Sequence, residues 1–193
     1  MAGWIAGLKS GWPMLVAAPF VGSFLATVAF RLPRRESIVL GRSRCPACKT
    51  ALGPVDLLPL FGWVLRRGHC NSCRAPIDPA YPSVEAAALG IALWAALAFL
   101  PGWHALIACV LGWTLLTLAA IDLRHFLLPD VLTLPLVPAG VLVALGVADW
   151  PVGPRDAAVG AAAGFAAIWG VAWLYRRLRG REGIGLGDAK LLA

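Results

Sequence analysis

The chain has 193 residues, of which 60% are hydrophobic and only 14% are charged. A soluble domain of this size carries roughly 45–50% apolar and about 25% charged residues, so the composition excludes a soluble protein. The net charge of +7 is explained by basic loops beside lipid headgroups. The composition therefore predicts a protein of the lipid bilayer and gives no reason to expect a nucleic-acid partner.

Four stretches without Asp, Glu, Lys or Arg reach the ~18 residues that a membrane-spanning helix needs; they are 11–30, 86–121, 131–148 and 157–175. The second is too long for one crossing, and Pro101 and Gly102 are expected to break it. The sequence thus predicts an all-α polytopic membrane protein with five spans. The first stretch could instead be a signal peptide, but it is long, lacks an A-x-A cleavage site and is followed by basic residues from Arg31.

The basic residues predict the orientation of these spans. Residues 31–81 carry nine basic and three acidic side chains, and four arginines lie between positions 176 and 181. Lys and Arg accumulate in cytoplasmic loops. With five crossings, the segments 31–81, 122–130 and 176–188 would all lie on the cytoplasmic side.

Four of the five cysteines form two C-x-x-C pairs, Cys45 with Cys48 and Cys70 with Cys73. This pattern favours a structural four-cysteine zinc site, because four thiolates complete a tetrahedral shell. A redox-active pair or two disulfides would be the alternatives, although disulfides are rare in the cytoplasm. His69 is a further potential ligand, but it is not needed for a complete shell.

Two carboxylates occupy unusual positions at the ends of apolar segments. Asp122 directly follows a charge-free run. Asp188 lies in the sequence Gly-Leu-Gly-Asp, shortly before a new apolar segment that begins at Leu191. Each could simply solvate a helix end. Carboxylates at the membrane edge tend to be functional, however, and two that face each other can share a proton and act as general base and general acid.

The order of motifs resembles that of the type IV prepilin peptidases, which are membrane aspartic proteases of the G-x-G-D class. The matching segments are Gly22–Leu25 with Arg31–Pro33, both cysteine pairs with Asp56–Pro59, Trp63 and Arg67-Gly68 between them, Tyr81-Pro82-x-Val84-Glu85, Ile121-Asp122, Leu127–Asp130 with Leu132-Thr133, and Gly185-x-Gly187-Asp188-x-Lys190-Leu191. Together they extend from Gly22 to the end of the chain.

The resemblance implies removal of a short basic leader from type IV prepilins or type II secretion pseudopilins, at the cytoplasmic face of the bacterial inner membrane. It implies Asp122 and Asp188 as the catalytic pair, with supporting roles for Asp130, Gly185, Gly187 and Lys190. Bifunctional members also N-methylate the new terminus with S-adenosylmethionine. Ala26 and Ala80 replace a usual Asn and a frequent Arg, from which we expect weak or absent methyl transfer. Members of the family continue through further spans beyond the position of Ala193.

We therefore expect a first span (1–30), a cytoplasmic zinc-bound loop domain (31–82) between the first two spans, and a transmembrane peptidase domain (83–193). The alternatives are a catalytically inactive scaffold that binds pilin-like substrates, a thiol oxidoreductase and a small transporter. The oxidoreductase would need the cysteines on the oxidising side, and the transporter would need charges in mid-span, where the sequence has none. No feature of the sequence specifies an oligomeric state.

Overall fold

The computed structural model describes residues 2–38, 43–99, 102–147, 150–180 and 191. These residues contain helices and no strands. The helices are α1 (Ala2–Arg31), α2 (Phe61–Leu65), α3 (Ala80–Ala98), α4 (Trp103–His125), α5 (Asp130–Thr133), α6 (Leu136–Gly146) and α7 (Pro154–Arg179). The prediction of an all-α chain is confirmed for the described residues.

Four helical segments are long and apolar enough to cross a membrane: Gly11–Arg31 within α1, and the whole of α3, α4 and α7. The predicted break in the longest apolar run is confirmed, since α3 ends at Ala98 and α4 begins at Trp103. The loop that carries the four cysteines lies between the first two of these segments, as the sequence predicts.

The fourth predicted span, 131–148, has a different structure. Its helix is divided into the four-residue α5 and the eleven-residue α6, and Pro135 immediately precedes α6. Proline cannot donate the backbone hydrogen bond that would continue α5, so the helix is interrupted there. Together α5 and α6 form an apolar helical segment, Asp130–Gly146, which is shorter than the ~18 residues of a full crossing. The five-span topology therefore stays a prediction.

The chain divides into two compact units, Met1–His125 and Phe126–Ala193. In the first unit α1, α3 and α4 pack side by side through small residues. Ala18, Ala92, Ala95 and Cys109 are fully buried together at the centre of this contact. Cys109 is thus a small buried apolar side chain, as its place in an apolar span predicts. In the second unit α6 packs against α7.

Gly22 permits the closest approach of α1 to α3. A Cβ atom at this position would lie 2.7 Å from the Glu85 Cα and 2.9 Å from the Ala88 Cβ. No ordinary side chain fits there without separating the two helices. Gly90, on α3, provides a contrast, because a Cβ atom there would have no heavy atom within 4 Å.

We expect Gly22→Ala to destabilise the first unit by about 1–3 kcal/mol through overpacking. Gly90→Ala should be neutral or slightly stabilising, because alanine is the better helix former. The unfolding temperatures of the two variants in detergent measure the difference. Equal unfolding temperatures for the two variants would show that α1 and α3 can move apart without loss of stability.

Candidate metal centre and peptidase site

The two cysteine pairs adopt the same local structure. The Cys45 amide donates a hydrogen bond to the Thr50 carbonyl, and the Cys70 amide donates one to the Ala75 carbonyl, at 3.0 and 2.8 Å. The residues that follow the second cysteine of each pair, Lys49 and Arg74, have φ angles of 61° and 60°. Each C-x-x-C segment therefore turns back on itself and presents both sulfurs on one side, as a zinc knuckle does.

The two knuckles bring all four sulfur atoms together. The Sγ atoms of Cys45 and Cys73 are 3.8 Å apart, and those of Cys48 and Cys70 are 3.9 Å apart. All four lie within 4.8 Å of one another. Sulfurs at about 2.3 Å from a tetrahedral zinc ion are separated by about 3.8 Å, whereas a disulfide bond measures about 2.05 Å. The cluster therefore has the dimensions of a metal site, and all four cysteines are free thiols.

The environment of two of these thiols favours the thiolate that binds metal. The Cys48 Sγ lies 3.3 Å from the Thr50 hydroxyl oxygen, and hydrogen bonds from that side chain and from the Thr50 backbone lower the pKa of Cys48 to about 6. The backbone amides of Cys73 and Ser72 lower the pKa of Cys70. A metal ion would therefore displace few protons from Cys48 at neutral pH.

His69 lies beside the cluster but does not belong to it. Its ring is exposed, and its Nδ1 lies 2.6 Å from the Arg67 carbonyl oxygen, which accepts the hydrogen bond. The sequence-based assignment of Cys45, Cys48, Cys70 and Cys73 as the metal ligands needs no fifth residue.

Polar contacts attach the segment between the knuckles to the helices. Glu85 on α3 is buried, and its Oε2 accepts a hydrogen bond of 2.6 Å from the amide of Leu60. Leu60 has a φ of 62°, an unfavourable conformation for leucine that this contact helps to hold. Asp56 forms a 2.8 Å ion pair with Arg66, whose guanidinium holds the pKa of the Asp56 carboxyl below its usual value.

A cavity of about 540 Å³ lies between the cysteine loop and the adjoining ends of α1 and α3. The cationic side chains on its wall include Arg34, Arg44 and Lys49. The carboxylates on its wall include Asp56 and Asp78, each of which forms an ion pair with an arginine. The cavity is large enough for a cofactor of nucleoside size, and aromatic rings of Trp63 and Tyr81 line it.

The predicted catalytic aspartates are only partly within the described residues. Asp122 lies in the last turn of α4 with its side chain exposed. Asp130 is the first residue of α5, in the second unit, and is also exposed. Asp188 and its neighbours Gly185, Gly187 and Lys190 lie outside the described residues, so their assignment and their pairing with Asp122 stay predictions.

Asp122 lies at the same end of the first unit as the cysteine loop. Two residues after it, Arg124 forms a 2.7 Å ion pair with Asp78, which precedes the first residue of α3 by two positions. Neither this ion pair nor the contact of Glu85 with Leu60 is predictable from sequence periodicity, because each joins residues far apart in the chain. The Asp122 side chain is exposed at this end of the unit.

Comparisons with known proteins identify the family. The profile of the Bacterial Peptidase A24 N-terminal domain matches residues 16–99, and that of the Type IV leader peptidase family matches residues 109–193. No solved structure matches the chain.

Three similar proteins bear the name prepilin leader peptidase/N-methyltransferase. One from Klebsiella pneumoniae is 41% identical over 178 residues, which cover 89% of this chain and 77% of the relative. One from Aeromonas hydrophila is 38% identical over 197 residues, covering 90% and 67%. One from Burkholderia pseudomallei (strain K96243) is 43% identical over 164 residues, covering 84% and 52%. The resemblance found in the motifs is confirmed, and the chain belongs to the prepilin leader peptidase/N-methyltransferase family of enzymes.

Proposed function

We propose that this protein is an aspartic endopeptidase of the bacterial inner membrane that removes the leader peptide from type IV prepilins or type II secretion pseudopilins. Similarity to named leader peptidases over most of the chain carries the proposal. The four long apolar helices support a membrane location, and the basic composition of the cysteine loop supports a cytoplasmic position for that loop.

In the proposed reaction Asp122 and Asp188 act as a pair. One carboxylate, as general base, takes a proton from a water molecule that attacks the peptide carbonyl. The other, as general acid, gives a proton to the reacting peptide group. The exposed position of Asp122 at the end of α4 supports this role, because a substrate entering from the membrane edge can reach it.

We assign the four-cysteine cluster to a structural zinc ion. Four thiolates would fill the tetrahedral shell and leave no position for a substrate or an activated water, so the ion would take no direct part in proteolysis. The sulfur separations of 3.8 and 3.9 Å support this assignment. The role of the metal would be to fold a loop that has few helical hydrogen bonds of its own.

Incubation of the full-length protein in membranes with a prepilin and labelled S-adenosylmethionine tests the function. We expect one cut after the leader, detected as a shorter product whose new N-terminus is read by mass spectrometry. Prepilin that is bound but left uncut would contradict the proposal and favour the scaffold alternative.

The same reaction reports methyl transfer, which we expect to be weak or absent. Ala26 and Ala80 both pack in one apolar cluster with Phe30 and Val84, so no polar group is present where the family usually has one. If S-adenosylmethionine binds, the 540 Å³ cavity offers aromatic and acidic side chains for it. Label on the mature N-terminus at the rate of cleavage would show that neither position needs a polar residue.

A further inference from the structure

Four side chains connect the last turn of α4 to α1 and α3. The Arg124 Nη2 lies 2.7 Å from the Asp78 Oδ2, and its guanidinium carbon lies 4.5 Å from the centroid of the Phe30 ring. The Phe30 ring stacks on that of Tyr81 with centroids 4.3 Å apart. We call Phe30, Asp78, Tyr81 and Arg124 the arginine clamp. It holds together the end of α1, the start of α3 and the end of α4.

The clamp lies on the opposite side of α4 from Asp122. Residues two positions apart in an α-helix are separated by about 200° around the axis, because each residue advances about 100°. Thr117 and Ile121, which lie within about 60° of Arg124 around the helix axis, are buried, whereas Asp122 is exposed and Leu123 is 81% exposed. Leu118, one turn before Asp122, is also buried, so the difference in exposure between the two sides is confined to the last turn. Contact of Arg124 with α1 and α3 therefore directs Asp122 away from those helices.

The last turn of α4 needs such a contact to keep this rotation. The last four carbonyl groups of an α-helix have no partner within the helix, and terminal turns open at low free-energy cost. After α4 the chain continues with Phe126, which has a φ of 50° and is 90% exposed. The structure describes the whole last turn of α4, residues 122–125, and Arg124 is the residue of this turn that forms an ion pair.

The clamp also connects this turn to the cysteine loop. Asp78 follows the second knuckle by five residues, and its carboxylate accepts a 2.9 Å hydrogen bond from the Ala80 amide at the start of α3. The position of Asp78 is therefore fixed from both sides, by the folded loop and by the helix. A fixed carboxylate is a suitable anchor for the Arg124 guanidinium.

We propose that Arg124, anchored by Asp78, is a positioning residue that holds Asp122 in the rotation required for peptide cleavage. The proposal rests on the proposed function of Asp122. Both partners of the ion pair are more than one-third exposed, with side-chain exposures of 38% and 39%. Exposed ion pairs contribute little to global stability, so the pair can be removed without unfolding the protein. Its loss is expected to misalign the carboxylate while substrate binding is retained.

Arg124→Gln and Asp78→Asn test the proposal in the full-length membrane-embedded protein, with leader removal from a prepilin as the assay. We expect each variant to lower kcat about tenfold and to change KM by less than about twofold, because misplacement affects the chemical step. The double variant should be no slower than either single variant, since the two residues act as one unit. Arg124→Lys, which keeps the charge, should recover most of the rate.

His125→Gln is the matched control, because His125 is the exposed neighbour of Arg124 in the same turn. It should cleave at the wild-type rate. Membrane insertion and metal content should be equal in all variants. A wild-type kcat in Arg124→Gln and Asp78→Asn would contradict the positioning role of Arg124. Losses of activity that add in the double variant would also contradict it.

Asp122→Asn separates this proposal from the proposed function. If Asp122→Asn is inactive while the clamp variants are fully active, the positioning role is wrong and the catalytic assignment stands. If Asp122→Asn cleaves normally, the catalytic assignment fails and the positioning role fails with it. A loss of activity in Arg124→Gln that is accompanied by loss of bound metal or of insertion would indicate a structural defect and would also contradict the positioning role.

Discussion

Asp122→Asn and Asp188→Asn should each reduce leader removal by more than about a hundredfold, which corresponds to at least ~2.7 kcal/mol of lost transition-state stabilisation. Asparagine is similar in size to aspartate but can neither accept the proton from water nor return one to the peptide group. Both variants should remain inserted in the membrane and bind prepilin. The measurement is the rate of leader removal in membranes that contain each full-length variant.

The double variant distinguishes a catalytic pair from two independent residues. If the carboxylates share one proton, the removal of either one disables both functions, so Asp122→Asn/Asp188→Asn should be no slower than the single variants. Asp149→Asn is the control, because Asp149 lies in the predicted outer loop between the fourth and fifth spans. A variant of Asp122 or Asp188 that retains more than about a hundredth of the wild-type rate would indicate a structural role and favour the scaffold alternative.

The features that local sequence determines were predictable. The C-x-x-C spacing fixes a tight turn with two sulfurs on one side, and the structure contains that turn twice, at Cys45–Cys48 and at Cys70–Cys73. The break near Pro101 and Gly102 was equally predictable, because proline and glycine disfavour a continuous helix. In each case the signal lies within a few residues of the feature that it determines.

The fourth predicted span shows which structural detail a count of charge-free residues does not describe. Such a count measures apolar length and ignores the backbone, yet Pro135 divides the segment into α5 and α6. The proline is visible in the sequence and predicts an interruption of the helix at this position. The ion pair of Arg124 with Asp78 had no such signal, because 46 residues separate its partners. Only the packing of α4 against α1 and α3 brings them together.

The loss of zinc should have the second large effect, and it should be confined to the cysteine loop. We expect one zinc ion per chain in the purified protein and less than about a tenth of that content in Cys48→Ser. The binding of zinc supplies ~10–16 kcal/mol that folds such segments, and a structural site that loses one thiolate loses much of this free energy. The loop between the knuckles should then become sensitive to protease, while α1, α3 and α4 stay inserted. Elemental analysis and limited proteolysis measure the two effects.

Cys109→Ala is the matched control for the zinc prediction. Cys109 is the one cysteine outside the cluster, and it is fully buried among Ala18, Ala92 and Ala95 in the contact between the helices. Its replacement should leave the zinc content at one ion per chain and the loop resistant to protease. A full complement of zinc in Cys48→Ser would contradict the four-cysteine shell. Wild-type protein without zinc, in which Cys45 and Cys70 react freely with an alkylating reagent, would contradict a metal site altogether, because bound thiolates are protected from alkylation.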